Sequence, residues 1–299
     1  MSEDTRSKQM TEKELSAELR GRKSVGKVGK LMIGIGTVLV AVGVFAGWNI
    51  PLVIAGVVIA IAGEKIREKQ QKKIQQQLGD HVVTDLINGM FQDVVYDPTK
   101  RLSSEIVYGA KLSLPEHQGL KGSHDVKAVY QKKPIEFSGI TLIREHEYYE
   151  EETNIARTSE EVVFQGKWMV CNYGGTFPAE VQITPRTKMQ KLRKNGVKTG
   201  NEEFDKRFFV QAEDEHEALR CILTSARVGA ILQAAEKSSG NVYMSVLREG
   251  RIHLLVQGSE FFDLGKGSTN VELLRERWTN EIHWFTDLID ALRMEDVLD

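Results

Sequence analysis

The side chains able to do chemistry in this chain are scattered, so the first test is whether any sit at a spacing that a mechanism needs. Gly21-Arg22-Lys23-Ser24-Val25-Gly26-Lys27-Val28 comes near a phosphate-binding loop. Such a loop requires backbone amides around the phosphates, a lysine for their charge, and a Ser or Thr to hold Mg²⁺. Val28 stands where the hydroxyl belongs, no strand precedes the run and an apolar helix follows, so no nucleotide is expected there. Gly34-Ile35-Gly36 lies inside that apolar stretch, where the strand–turn–helix of a dinucleotide fingerprint cannot form. His146 is flanked by Glu145 and Glu147, with Glu150-Glu151-Glu152 just beyond Tyr149. Neighbouring residues of a strand face opposite ways, so these ligand types do not converge on a cation. Cys171, between Val170 and Asn172, has no histidine at a diagnostic spacing and reads as a buried structural thiol. Gly174-Gly175 reads as a turn after a strand. There is no GxSxG, HExxH or CxxC. No catalytic, cofactor-binding or metal-ligating residue is expected.

One polar feature stands out. Arg186, Lys188, Lys191, Arg193, Lys194 and Lys198 fall within thirteen residues that contain no acid. Contact with anionic lipid headgroups or with an acidic partner is one reading, and a solvated loop is the other. Nucleic acid is disfavoured because no aromatics interleave with the charges. The stretch Val271–Asp299 carries eight acids against three arginines. It could act as an intramolecular counterpart to the basic run.

The elements that must carry these residues begin with a membrane feature. The chain has 299 residues, 40 Lys+Arg, 42 Asp+Glu and a formal charge of −2. That near balance excludes a globally basic nucleic-acid binder, and two cysteines make neither a disulfide framework nor a zinc cluster. From Leu31 through Gly63 no residue is charged. A single helix of that length would exceed the hydrocarbon thickness of a bilayer. Gly47-Trp48-Asn49-Ile50-Pro51 interrupts the run with turn formers and an interfacial aromatic. Two spans are therefore expected, about Val28–Trp48 and Ile50–Ile66, with Lys65 reaching back to the headgroups. Gly36 and Gly43, and Gly56 with Ala60, would allow close approach of the two helices. Arg22, Lys23, Lys27 and Lys30 precede the pair, and Lys65, Arg67, Lys69, Lys72 and Lys73 follow it. Both termini are then cytoplasmic by the positive-inside rule. A cleaved signal peptide fits poorly, since the apolar run starts about thirty residues in and a second follows at once.

After the membrane, Ile74, Leu78, Val82, Leu86, Met90 and Val94 recur every four residues, which predicts a stalk helix that Gly79 bends or breaks. Seven strands are expected at Val126–Tyr130, Ile140–Tyr149, Glu161–Tyr173, Val181–Thr184, Arg207–Gln211, Val242–Val246 and Ile252–Val256. The last two form a hairpin across Arg248-Glu249-Gly250. Helices are expected at Asp214–Leu223 and Thr224–Lys237. A long final helix carries the apolar stripe Val271, Leu274, Trp278, Ile282, Phe285, Leu288, Ile289 and Leu292. Strands and helices do not alternate regularly, so the fold class is α+β: a mainly antiparallel sheet with packed helices. The expected organisation is a polar tail over 1–27, a transmembrane helical hairpin over 28–66, a stalk helix over 67–92 and a cytoplasmic α+β domain over 93–299.

The stretch Glu203-Phe204-Asp205-Lys206-Arg207-Phe208-Phe209-Val210, followed by Asp214, Glu217-Ala218-Leu219-Arg220 and Ile222-Leu223-Thr224, resembles the signature of a bacterial family. It is the domain-of-unknown-function family numbered 3137. Phe164-Gln165-Gly166 and the Val242–Val256 hairpin fall where that family would place strands. The resemblance implies an N-terminal pair of membrane helices before a cytoplasmic domain, a bacterial inner-membrane location and a LemA-like membrane protein as a partner. It transfers no catalytic residue. The function expected is a membrane-anchored binding or scaffolding module in contact with membrane lipids. The alternative is a membrane-bound enzyme whose site is assembled from dispersed residues.

Overall fold

A computed structural model of the chain describes residues 12–45, 50–150, 155–186, 196–264 and 270–298. Cα packing divides the chain into two compact units, residues 1–86 with 264–276, and residues 87–263 with 277–299.

The first unit is dominated by two antiparallel helices, α1 (Glu12–Phe45) and α2 (Ile50–Leu78). Glycines form their seam. A Cβ at Gly36 would lie 2.5 Å from the carbonyl oxygen of Gly56, and one at Gly29 would lie 2.8 Å from that of Gly63. Gly36, Gly56 and Ala60 thus pack as their spacing predicts, and the contact of Gly29 with Gly63 extends the same seam by two turns. Large apolar side chains point the other way. Leu31, Val38, Ile50, Val58 and Ile61 are all more than half exposed. Gly21–Val28 lies within α1, so the resemblance to a phosphate loop is only local. Beyond Leu78 the helix changes to a π-turn over Gly79–Val83, at the glycine expected to disturb it. It resumes as α3 (Thr84–Met90).

The second unit is built on an eight-stranded sheet of β1 (Gln92–Asp97), β2 (Gly119–Tyr130), β3 (Lys133–Glu150), β4 (Ile155–Asn172), β5 (Val181–Pro185), β6 (Phe208–Ala212), β7 (Val242–Leu247) and β8 (Arg251–Gln257). Its order is β1-β2-β3-β4-β8-β7-β5-β6, with every pair antiparallel. The α+β class is therefore observed, and all seven expected strands form. Strand β1 was not expected. Val94 continues the four-residue stripe, yet it falls at a register shift in a β-branched and aromatic run whose Val95 and Tyr96 pair with Lys127 and Val126 of β2. The β7–β8 turn closes with Gly250 at φ 79, donating its N–H to the Leu247 carbonyl at 3.1 Å. Only glycine adopts that backbone without strain.

The period-2 pattern of β4 sends alternate residues to opposite faces. Phe164, Trp168 and Val170 join Ile140, Leu142, Leu255 and the residues Leu102, Val107 and Ala110 around α4 (Ser104–Gly109) in one core cluster. Met169 and Cys171 face the other way, together with Phe137 of β3. On that side lie Phe261, Phe262 and the helix α8 (Val271–Leu292). Ring centroids are 4.9 Å apart for Phe137 and Phe261, 5.3 Å for Phe261 and Phe285, and 5.7 Å for Phe262 and Trp278. Tyr130 donates a 2.7 Å hydrogen bond to Asp290, which ties α8 to β2.

The remaining helices are α5 (Glu202–Arg207), α6 (Glu215–Glu217) with a π-turn over Ala218–Ile222, and α7 (Ser225–Lys237). Asn201 caps α5 by accepting from the Phe204 N–H, and Asp214 caps α6 by accepting from the Glu217 N–H. Buried Arg227 of α7 donates to the carbonyls of Leu292 and Arg293 at 2.5 and 3.0 Å. It thereby satisfies carbonyls that the end of α8 leaves without helical partners.

Candidate functional site

A recess with charged residues in its wall opens in the second unit where β4, the turn after β8, the end of α7 and α8 meet. It is a cleft of about 420 Å³ lined by Lys167, Ser259, Ser239, Arg277, Glu281 and Trp284, with Lys237, Ser238, Asn280 and Phe285 completing the wall.

Lys167 forms the floor. The strand alternation that buries Met169 and Cys171 puts Lys167 on the same face, under α8, where it is 7 % exposed. Its ammonium donates to the carbonyl oxygen and the hydroxyl of Ser259, both at 3.1 Å. It also lies 3.7 Å from Oε1 of Glu281, and Nε of Arg277 lies 3.8 Å from the same oxygen. Burial pushes the Lys167 amine below its ordinary range, opposed by the charge of Glu281. Burial likewise pushes the Glu281 carboxyl up, opposed by Lys167 and then Arg277. Desolvation leads in both groups, and the charge of each is the main influence opposing it in the other. Arg277 also donates to the Asp263 carbonyl, which accepts the indole N–H of Trp278 at 3.3 Å. The indole N–H of Trp284 is spent on the Ala234 carbonyl at 2.9 Å, leaving its ring as an apolar wall.

A second polar cluster borders this one through the residue after Ser259. Glu260 accepts from the hydroxyls of Thr141 at 2.6 Å and Ser123 at 3.0 Å. Gly139 leaves room for the Glu260 stem, since a Cβ there would lie 2.6 Å from that of Glu260. Nearby, His124 stacks on Tyr96 with their rings 5° from parallel, and its Nδ1 lies 2.6 Å from the Tyr96 hydroxyl. Burial lowers the His124 pKa to about 4. These groups satisfy one another and leave little for a ligand.

Of the basic residues singled out by spacing, Lys188, Lys191, Arg193 and Lys194 lie outside the described residues. Arg186 is half-buried. Its Nε donates to the Phe208 carbonyl at 3.3 Å and its guanidinium lies 5.6 Å from the centre of the Phe209 ring. Lys198 is exposed. His146 pairs across the β3–β4 ribbon with Glu161 at 3.0 Å. Among the described residues no group of three or more His, Cys, Asp and Glu side chains is placed to hold a metal ion. Cys171 is buried and its thiol is pushed up to about 12, first by burial, which fits an inert structural thiol. Gly174 and Gly175 both adopt positive φ in a turn after β4, and the Gly174 N–H is held by the Asn172 side chain at 3.0 Å.

Sequence reading did not find the Lys167 cleft, although two signals pointed to it. Lys167 is the one charge in the apolar run from Gly166 to Cys171, and Glu281 falls on the stripe Leu274, Trp278, Phe285, Leu288 at helical spacing. A charge on a buried face needs a partner, and these are partners of each other.

No curated protein matches this chain. One solved structure, the crystal structure of the mycobacterial trehalose monomycolate transport factor A, TtfA, aligns over 72% of this chain and 96% of its own at 10% identity. Its TM-score is 0.35. The family resemblance has a match behind it: residues 162–294, from mid-β4 to just past the end of α8, match the family described as "Protein of unknown function (DUF3137)".

Proposed function

We propose that the chain is a membrane-anchored binding or scaffolding module of the bacterial inner membrane. The hairpin 28–66 spans the bilayer, 67–92 forms the stalk and 93–299 lies in the cytoplasm with both termini. The observation that carries this reading is the inverted packing of α1 and α2, with glycines in the seam and large apolar side chains outside. In water, burial of large apolar side chains drives two helices together, and they fill the seam. In lipid that drive is absent, so small residues gather at the contact and large ones face the tails.

By length and apolarity, only Lys27–Phe45 among the described helices is sufficient by itself to cross a membrane. The uncharged part of α2 is shorter, and Glu64 follows Gly63 at once. Glu64 is paired with Arg67, one turn on. That pairing, with Lys65 reaching to the headgroups, lets α2 extend toward the length of α1.

Topology can be tested in a variant in which Cys171 and Cys221 are replaced. Single cysteines at Ser7 and at exposed Glu236 of α7 should resist a membrane-impermeant thiol reagent in intact cells and react after lysis. Labelling of either before lysis, or complete release of the protein from membranes by alkaline wash, would refute the anchor.

A membrane-bound enzyme is the second reading, and the convergence of Lys167, Arg277 and Glu281 in one cleft favours it. Groups whose protonation is shifted by burial in a recess are the raw material of acid–base catalysis. Here the pair is engaged with itself and with Ser259, which favours binding over proton transfer.

A further inference from the structure

We propose that the cleft over Lys167 is a binding site for a phosphate ester. The phosphate would lie between Lys167, Arg277 and Lys237, and the organic part against the ring of Trp284. Three cations, Lys167, Arg277 and Lys237, line the recess, and two carboxylates act there, Glu281 in the wall and Asp263 beside it, so the positive charge left over is that of one cation. The recess is concave and its floor is desolvated, conditions that focus the field of those cations on a bound anion.

The donors also have a geometry. They come from β4, the Ser259 turn, the end of α7 and α8, and so approach from several directions. A tetrahedral oxyanion with three terminal oxygens can meet Arg277, Lys237 and the Ser259 hydroxyl together, with Lys167 acting through its charge because its N–H groups are directed at Ser259 and Glu281, whereas the two coplanar oxygens of a carboxylate cannot. The Ser259 hydroxyl accepts from Lys167 at 3.1 Å, so its own proton points onward and can be donated to the ligand. At about 420 Å³ the cleft is of the size that small-molecule sites take. Val256, Trp284 and Phe285 supply apolar wall for the esterified group.

The same phosphate chemistry could arrive on a soluble metabolite or on a lipid headgroup. The site belongs to the folded domain and stands whether or not the hairpin spans a bilayer, so its test is separate from the topology test above.

The full chain in an uncharged detergent would be titrated with glycerol 3-phosphate, with glycerol, and with phosphatidic acid in mixed micelles, by calorimetry and tryptophan fluorescence. Glycerol 3-phosphate or the phospholipid should bind and glycerol should not. Binding of the soluble ester identifies a metabolite site, and binding of the lipid alone identifies a headgroup site. Lys237 is exposed at the mouth, so Lys237→Ala should weaken binding about tenfold, as loss of one charge-assisted contact does, with the melting temperature unchanged. Lys237→Ala combined with Arg277→Gln removes the two cations outside the buried Lys167–Glu281 pair and should abolish binding. No binding of either phosphate compound at millimolar concentration, or unaltered affinity in Lys237→Ala and in the folded double variant, would overturn the assignment.

Discussion

Gly36 of α1 and Gly56 of α2 meet so closely that a Cβ on Gly36 would lie 2.5 Å from the Gly56 oxygen, and one on Gly56 would lie 2.7 Å from the Gly36 oxygen. The clash in each direction is with backbone, which cannot rotate away. Gly36→Leu should therefore force the helices apart by several Å rather than be absorbed locally. Spin labels at exposed positions 31 and 61, one on each helix, would report a longer and broader distance distribution in the variant. An unchanged distribution would mean that the seam is not held by its glycines.

On α8, Trp278 and Phe285 are each 1 % exposed and both pack on the Phe261-Phe262 pair. Truncation of either to Ala removes a large buried surface and leaves a cavity, at a cost of about 3–5 kcal/mol. Denaturant titration should show midpoints falling at unchanged slope. Melting within a degree or two of the parent in both variants would show that α8 contributes nothing to the core.

Trp168 donates its indole N–H to Nδ1 of His253 at 3.2 Å, with both side chains fully buried. Burial lowers His253 to about 3 and His124 to about 4, from an ordinary 6.5. Arg251 lowers His253 further and Glu249 opposes, while Glu260 opposes the shift at His124. Between those values and 6.5 the unfolded chain binds protons that the folded one refuses, so stability rises with pH across that window. Full stability is reached above 6.5 and is lost as pH falls, by up to roughly 3 kcal/mol for His124 at 1.36 kcal/mol per pH unit. Asp125, Glu136 and Glu281, raised chiefly by burial, act in the opposite sense above the ordinary carboxylate range. The imidazole contribution is therefore isolated by comparison with variants. Between pH 7.5 and 5, His253→Gln and His124→Gln should each flatten the loss of unfolding free energy seen in the parent. Equal slopes in parent and variants would show that neither ring is held neutral.

The basic run from Arg186 to Lys198 is proposed to face the cytoplasmic leaflet. Each cation near an anionic surface is worth on the order of 1 kcal/mol, and tethering by a hairpin raises the effective concentration. A chain beginning at Ile87 should sediment with vesicles containing anionic lipid at low salt, release them as salt rises, and ignore zwitterionic vesicles. Glu at positions 188, 191, 193 and 194 should abolish sedimentation with little change in melting. Equal sedimentation of the reversed variant would remove lipid contact from the account.

Whatever is written along one element was legible in the residues alone. The uncharged Leu31–Gly63 run, the apolar stripe of α8 and the β7–β8 hairpin are one-dimensional patterns, each set by the period of a single helix or strand or by one glycine at a turn. Strand β1 was misread because Met90 and Val94 satisfy a helical spacing, and only the neighbouring β2 offers the backbone partners that make 92–97 a strand. The seam shows the same limit. Gly36, Gly56 and Ala60 could be picked out as small residues, but the antiparallel offset that brings Gly29 onto Gly63 depends on both helices together. The cleft depended most on tertiary structure. Lys167 and Glu281 are over a hundred residues apart, and they meet because the chain leaves β4, forms β5 through β7, and returns to pair β8 beside β4 before α8 crosses the sheet. Local propensity specifies elements. The pairing of distant buried charges is decided by the order in which a sheet is assembled and by the cost of leaving either charge alone.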